Sequence, residues 1–386
     1  MLLIAPQPFY SDRGTPMNVR EMCRVLGARG YEVDLLTYPL GRDVELPGVE
    51  IHRSPGIPGV RAVPIGFSLR KLLLDLPLFA HALWLWLRRR HDVVHGVEEG
   101  AFLALPLSWL GARLIYDLDS LISDQLAYSG TLRWPPAIRA VRALERLTLR
   151  RSALAITVCH SLTEAARELE PGAEIHQIED TPLPETLRPP DPAAMERLRG
   201  ELDCGERPIV LYTGNFESYQ GIDLALAAVG ALRERGTPIC LVLVGGSEPH
   251  RKALAKRIAS LELDRAVRLV GPRPPSEMAD WMGLAQALIS PRSEGTNTPL
   301  KLYSYMASGV PIVATRRLTH TQVLDEGNAF LCEPTAEDMA EKIAEALERP
   351  EEARARGRAA RELAERDYAP ESFARKLLSA YADACA

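Results

Sequence analysis

The chain has 386 residues, 46% of them hydrophobic and 25% charged, and its 46 basic and 51 acidic side chains leave a formal net charge of -5. That length suggests two domains at roughly 100–200 residues each, and 27 Gly and 30 Pro are too few for a disordered or collagen-like chain. The acidic balance excludes a nucleic-acid binder that relies on a globally basic surface, and six cysteines without a C-x-x-C pair argue against a zinc cage or a dithiol redox motif.

The first segment, Met1 to Ala5, has no basic stretch and is too short for a secretory leader, so it reads as a core strand over Leu2 to Ala5. A turn-rich loop follows. A helix from about Asn18 to Arg29 then buries Val19, Met22, Cys23, Val25 and Leu26, and Gly30 stops it. Further strands are expected at Glu32 to Thr37, Asp92 to His95, Arg113 to Tyr116 and Leu154 to Val158. Strands separated by helical stretches imply parallel β/α/β units with both sheet faces covered.

The rhythm breaks near Ile178 to Pro192, where five prolines give linker composition. It restarts with strands at Pro208 to Tyr212, Ile239 to Val244, Val267 to Val270, Ala287 to Ser290 and Pro311 to Ala314. Helices are expected near Ile222 to Arg235, Pro249 to Leu261, Ala336 to Leu347, Ala353 to Arg366 and Pro370 to Ala384. The pattern is α/β, two doubly wound Rossmann-like domains facing a central cleft: 1–184, a Pro-rich linker over 185–207, 208–368, and a C-terminal helix over 369–386 that returns toward the first domain. Cys240, inside an apolar run, reads as a small reduced core residue, and a reducing cytoplasm is the simplest location.

Ligands in open α/β sheets bind beyond the carboxyl ends of the strands, so two loops matter most. Gly14 and Thr15, ahead of the first helix, can offer backbone N–H groups to an anion, although an ordinary βα turn has the same look. The loop Ser290 to Lys301 is more specific. Pro299 starts a helix without losing a needed donor, and Thr296, Asn297 and Thr298 present donors at that helix start. Arg292 and Lys301 supply positive charge from either side, and Glu294 can accept hydrogen bonds from sugar hydroxyls.

These features resemble the family 4 glycosyltransferases of GT-B fold over nearly the whole chain. The resemblance is carried by Gly14, Asp92-Val93-Val94-His95, Thr213-Gly214 with Gln220-Gly221-Ile222-Asp223, Leu243 to Gly246, Val270-Gly271 with Met278, and the stretch from Glu294 to Pro311. It implies retaining transfer of a sugar from a nucleotide-diphosphate sugar, a UDP-sugar in the first place, held by the second domain, to a glycan or lipid-linked acceptor held by the first. The family's donor-sugar glutamate falls on Glu294 and its ribose glutamate on Ser304. The diphosphate-clamping Arg and Lys fall on Asn215 and Gln220, both uncharged, so Arg292 and Lys301 are expected to replace them. Gly14, Thr15, Gly214, Gly245, Arg273 and Gly295 complete the donor set. Asp119 takes the place of the His that relatives carry near the reacting carbon, where it can act on an acceptor hydroxyl or simply cap the following helix. His95, Glu98 and Glu99 are expected on the acceptor side, and no metal or cofactor is implied. A catalytically degenerate donor-binding partner subunit, or a nucleotide-sugar epimerase of the same fold, is the alternative.

Two segments can touch a lipid surface. Residues 70–90 combine an apolar run with Trp84, Trp86 and flanking basic residues, although a buried core helix has the same pattern. Residues 133–151 hold six Arg against the single Glu145, with Arg139, Arg142, Arg146 and Arg150 at helical spacing; a solvated Arg-rich face is the plainer reading. Together they allow a cytoplasmic protein to sit peripherally on the inner face of the membrane.

Overall fold

A computed structural model describes residues 1–11, 14–60, 63, 68–129 and 134–385. Two compact units emerge, Met1–Glu179 with Phe373–Ala386, and Asp180–Ser372.

The first unit runs β1 (Leu2–Ala5), α1 (Gly14–Ala28), β2 (Val33–Thr37), β3 (Val49–Arg53), α2 (Leu69–Arg89), β4 (Val93–Val97), α3 (Gly100–Trp109), β5 (Arg113–Leu118), α4 (Ile122–Ser129), α5 (Pro135–Arg151), β6 (Leu154–Thr157), α6 (His160–Leu169) and β7 (Ile175–Gln177). The strands form one parallel sheet in the order β3-β2-β1-β4-β5-β6-β7. Alternation along β1 explains its apolar run. Leu2 and Ile4 face one core with Leu74, Leu78 and Leu85 of α2, and Leu3 and Ala5 face the opposite core with Val19, Met22 and Leu26 of α1. A sheet covered on both faces needs no polar side on its central strands.

The second unit runs α7 (Pro192–Leu202), β8 (Ile209–Gly214), α8 (Ile222–Glu234), β9 (Cys240–Gly245), α9 (Glu248–Ser260), β10 (Val267–Val270), α10 (Met278–Leu284), β11 (Ala287–Ser290), α11 (Leu300–Ser308), β12 (Ile312–Thr315), α12 (Leu318–Thr321), β13 (Phe330–Cys332), α13 (Ala336–Glu348) and α14 (Pro350–Asp367). Its parallel sheet has the order β10-β9-β8-β11-β12-β13. The final helix, α15 (Pro370–Cys385), puts Phe373, Leu377, Ala380 and Tyr381 into the core beside α1.

Several expectations change. Helix α1 starts at Gly14, not near Asn18. The short strands β3, β7 and β13 lie at or next to sheet edges, outside the expected set; Glu50, His52, Arg53 and His176 break any apolar run in the first two. The segment 185–207 is not all linker. Pro192 opens α7 in the first turn, where its missing N–H is harmless, and the Asp191 side chain accepts from Ala193 N at 3.1 Å. Arg188 and the Asp191 N–H both bind Asp280 at 2.8 Å, while Ala194, Leu198 and Leu202 are buried. Cys240 is not a reduced thiol: it forms a disulfide with Cys204, 36 residues away. Cys204 lies just past the end of α7 and Cys240 opens β9, a proximity that only the folded topology creates.

Cys23, Cys159, Cys332 and Cys385 take part in no disulfide. Thiol titration in denaturant without reductant is therefore expected to find four reactive groups and, after reduction, all six; six before reduction would show that the Cys204–Cys240 bond does not form.

Candidate active site

In the second sheet the chain leaves β8 toward β9 on one side and reaches β11 on the other. The loops after β8 and β11 therefore diverge and open a crevice at the strands' carboxyl ends, the place where such sheets bind ligands. Glycine makes the crevice possible. Gly214 ends β8 at φ 137°, and a Cβ on Gly245 would stand 2.2 Å from the Gly214 carbonyl oxygen. A Cβ on Gly221 would stand 2.0 Å from the Pro291 carbonyl oxygen, so only glycine lets the β8 loop approach the β11 loop this closely.

Lys301, in the first turn of α11, points into this place. Its Nζ donates to Gln220 Oε1 at 3.1 Å and stands 3.8 Å from the centre of the Tyr212 ring. Gly214 is equally near: a Cβ there would lie 3.6 Å from Nζ. Burial pushes the ammonium well below the usual lysine range, and Arg292 pushes it the same way. Among the described residues, the ammonium is held by an amide and an aromatic face and by no carboxylate. A cation kept in a poorly solvated place without a counter-ion is unfavourable unless an anion arrives.

Arg292 is 8% exposed. Its Nε donates to the Glu294 carbonyl and a terminal nitrogen donates to Asn297 Oδ1, both at 2.8 Å, while the guanidinium lies 5.2 Å from the Tyr219 ring centre. A Cβ on Gly295 would meet the guanidinium at 2.3 Å. Arg292 thus shapes its own loop. That shape leaves Glu294, Gly295 and Thr296 exposed and buries Thr298, whose hydroxyl has no hydrogen-bond partner. Asn215 is half-buried; its carbonyl accepts from Tyr212 and its Oδ1 accepts from the Glu217 N–H.

Two donor-side residues do not join this group. Ser304 faces inward and bonds the Leu183 N–H at 3.4 Å and the Thr186 hydroxyl at 3.1 Å, so the position expected to grip a ribose serves internal packing. Arg273 is exposed on the loop after β10, the edge strand, with its guanidinium 5.9 Å from the Trp281 ring centre. A residue that sequence reasoning missed lies beneath the loop. His320 is fully buried, donates from Nδ1 to the Thr315 carbonyl at 2.8 Å and accepts from Ser290 at Nε2, also 2.8 Å. Burial holds it neutral, with its pKa down to about 3. No motif marks it, because its partners come from two strand ends.

In the first unit, Gly14 and Thr15 form the start of α1, with open space around Gly14; residues 12 and 13 of the same loop lie outside the described residues, as does Arg133 of the basic segment. Glu98 and Glu99 stand just past β4, and Asp119 just past β5, half-buried. His95 is a correction. It is fully buried in mid-strand, bonded through Nδ1 to the Tyr381 hydroxyl at 2.7 Å and through Nε2 to Asp117 at 3.3 Å, so its side chain anchors α15 and is not displayed at the strand end. Lys71, Asp75 and Tyr38 gather near Glu98 and Glu99 instead, and spacing along the chain gave no sign of it.

The family descriptions "Glycosyl transferases group 1" and "Glycosyl transferase 4-like domain" match residues 195–363 and 13–181. The chain belongs to the group 1 glycosyltransferases. Over 341 residues it is 27% identical to a D-inositol 3-phosphate glycosyltransferase of Thermobispora bispora, covering 80% of this chain and 75% of that one. Two solved structures share its GT-B fold. Sucrose-phosphate synthase of Thermosynechococcus elongatus has a TM-score of 0.79 at 22% identity, and Anabaena HepE in complex with UDP and glucose has 0.77 at 16%; each match covers 99% of this chain and 98% of the other. This glycosyltransferase therefore carries its family's fold.

An anion seated on Lys301 restores the ammonium's preference for its proton. Calorimetry of UDP, GDP and ADP in buffers of different ionisation enthalpy, repeated across pH below the usual lysine range, is expected to show proton uptake on binding. The uptake should vanish in Lys301→Met; uptake that survives that substitution would place the titrating group elsewhere.

Proposed function

We propose that this glycosyltransferase transfers a sugar, with retention of anomeric configuration, from a nucleotide-diphosphate sugar to a glycan or lipid-linked acceptor in surface-polysaccharide or glycolipid synthesis, and that a UDP-sugar is the donor. The carrying observation is Lys301, an ammonium without a carboxylate partner at the β8/β11 switch point. As the sugar–phosphate bond breaks, the diphosphate gains negative charge, and a cation already in position stabilises it without reorganisation. Glu294, exposed on the β11 loop, is suited to accept hydrogen bonds from hydroxyls of the donor sugar. HepE, which shares the fold, binds UDP, and that supports the choice of nucleotide; retention follows the family resemblance.

The surface of the first unit supports a lipid-linked acceptor. Leu73, Leu76, Trp84 and Leu87 on α2, Trp109 on α3 and Trp134 before α5 are between 49% and 69% exposed. Arg88 lies 5.1 Å from the Trp84 ring centre and Arg151 lies 5.9 Å from that of Trp109. The acids of these helices, Asp75 and Glu145, are buried, so the exposed face offers apolar and cationic groups to an anionic bilayer. No helix among the described residues is long and apolar enough to cross a membrane.

A degenerate donor-binding subunit is the second reading, favoured by the inward turn of Ser304 and by the uncharged Asn215 and Gln220. Transfer assays separate the two. With UDP-, GDP- and ADP-hexoses and a panel of glycan and glycolipid acceptors, product with the donor's anomeric configuration is expected, and Lys301→Ala should lower turnover roughly tenfold or more, since one charge-assisted pair is worth ~1.4–3 kcal/mol. Nucleotide binding without transfer would favour the subunit reading. In flotation assays, vesicles rich in anionic lipid should carry the protein up, neutral vesicles should not, and Leu76→Glu should weaken the association; equal flotation with both lipids would remove the electrostatic part of the account.

A further inference from the structure

Lys71 sits in the first turn of α2 beside Arg70, where position alone groups it with a basic flank facing lipid. The fold turns it inward instead. Its side chain is 15% exposed, and its ammonium pairs with the Glu99 carboxylate. Glu98 and Glu99 are the first residues beyond β4, the strand next to β1, where the order of the first sheet reverses. That is the first unit's counterpart of the β8/β11 crevice.

The group draws on four separate segments. Glu98 holds a left-handed backbone, φ 49°, a conformation unfavourable for a side chain with a Cβ. Its N–H binds the Asp117 carbonyl at 2.8 Å, which keeps the strand end in place. Among the described residues its carboxylate receives only a long hydrogen bond from Ser120, 3.4 Å, and Ser120 is itself held by Gln125 of α4. Asp75, one turn along α2 from Lys71, accepts from the Tyr38 hydroxyl at 2.6 Å, just past the end of β2. Glu99 is therefore occupied by Lys71 and Asp75 by Tyr38, while Glu98 keeps acceptor capacity to spare.

We propose that Lys71 is a positioning residue of the acceptor site, holding Glu99 so that Glu98 is the carboxylate that accepts a hydrogen bond from a hydroxyl of an uncharged polyol acceptor. This deepens the proposed function and rests on it for the word acceptor. The charges around the site decide the class of ligand. Glu98, Glu99 and Asp75 share one ammonium, with Asp117 a further acid near Glu98, so a phosphate group would meet repulsion, whereas a hydroxyl donates to a carboxylate without adding charge.

Burial, and after it the charge of Glu99, pushes Glu98 up to about 7; Lys71 and the Ser120 bond pull it back, and Asp117 adds to the rise. Asp75 is pushed up to about 6, chiefly by burial, against the pull of Tyr38 and Lys71 and with the push of Glu99. Lys71 is raised: burial works against its charge, but Glu99 and Glu98 outweigh burial. Removing the ammonium should therefore raise Glu98 further, on the order of one unit, as expected for loss of an opposite charge at close range.

The test uses the full chain labelled with ¹³C at glutamate carboxyls, the Glu98 resonance being assigned by Glu98→Gln, with Glu98→Asp as second variant if the first does not fold. In wild type that resonance should titrate near neutrality; Lys71→Met should move its midpoint upward and Lys71→Arg should leave it nearly unchanged. Methyl α-glucoside and myo-inositol at high millimolar concentration should shift the resonance, and inorganic phosphate should not. Lys71→Met should leave vesicle flotation as it is, because the ammonium faces Glu99 rather than lipid. An unmoved midpoint in Lys71→Met, silence toward both polyols, or a response to phosphate alone would each overturn the inference. Nucleotide calorimetry on the same sample separates this failure from failure of the glycosyltransferase reading: intact nucleotide binding with a silent Glu98 removes only the role given to Lys71 and Glu98.

Discussion

The second unit is organised around one unfavourable fact, a lysine ammonium placed at the crevice between β8 and β11 without a carboxylate among the described residues to neutralise it. Everything nearby makes that placement possible. Gly221 and Gly245 let three backbone segments approach within distances that a Cβ would forbid, and Gly214 ends β8 at a φ that favours glycine. Tyr212 offers the face of its ring, Gln220 offers one amide oxygen, and Arg292 is engaged with its own loop. Beneath them a neutral His320 bonds Ser290 and Thr315, fixing the ends of β11 and β12 without adding a charge that would oppose the lysine. In the function proposed above, this arrangement serves as a preorganised receptor for an anion, which is what release of a nucleoside diphosphate demands.

The first unit shows the same architecture with the opposite sign. Its crevice lies between β1 and β4, and the charged groups that collect at the end of β4 are mostly carboxylates with one lysine among them. A hydroxyl-bearing acceptor suits that environment as a diphosphate suits the other. His95 and Tyr381 add a structural link: a mid-strand imidazole bonded to the last helix ties the C-terminus of the chain into the sheet that carries this cluster.

Much of this was legible in the sequence where one physical signal dominated. Buried parallel strands such as β1 and β11 are short, nearly all-apolar runs, and their bounds follow from the residues alone. The loop that carries Glu294 and the helix start that carries Lys301 were legible because glycine, threonine and proline punctuate them. The edge strands β3 and β7 were not, since a strand with partners on one side has no need of apolar residues throughout. Helix α7 was hidden by prolines that read as linker until Pro192 proved to be in a first turn. Ser304, Arg273 and His95 took other roles because the face each presents is set by tertiary packing, which motif spacing does not encode. Lys71 is the same case in reverse: flanking Arg70 and an apolar run disguised a side chain that turns toward Glu99.

Hydrogen–deuterium exchange of the full chain, with and without saturating UDP, tests the central claim most directly. Ordering of the two loops around a bound diphosphate predicts slowed exchange in peptides covering 213–221 and 291–302, lost when Lys301 is replaced by Met. Protection that appears only in the first unit, or that persists unchanged without the Lys301 ammonium, would contradict the account.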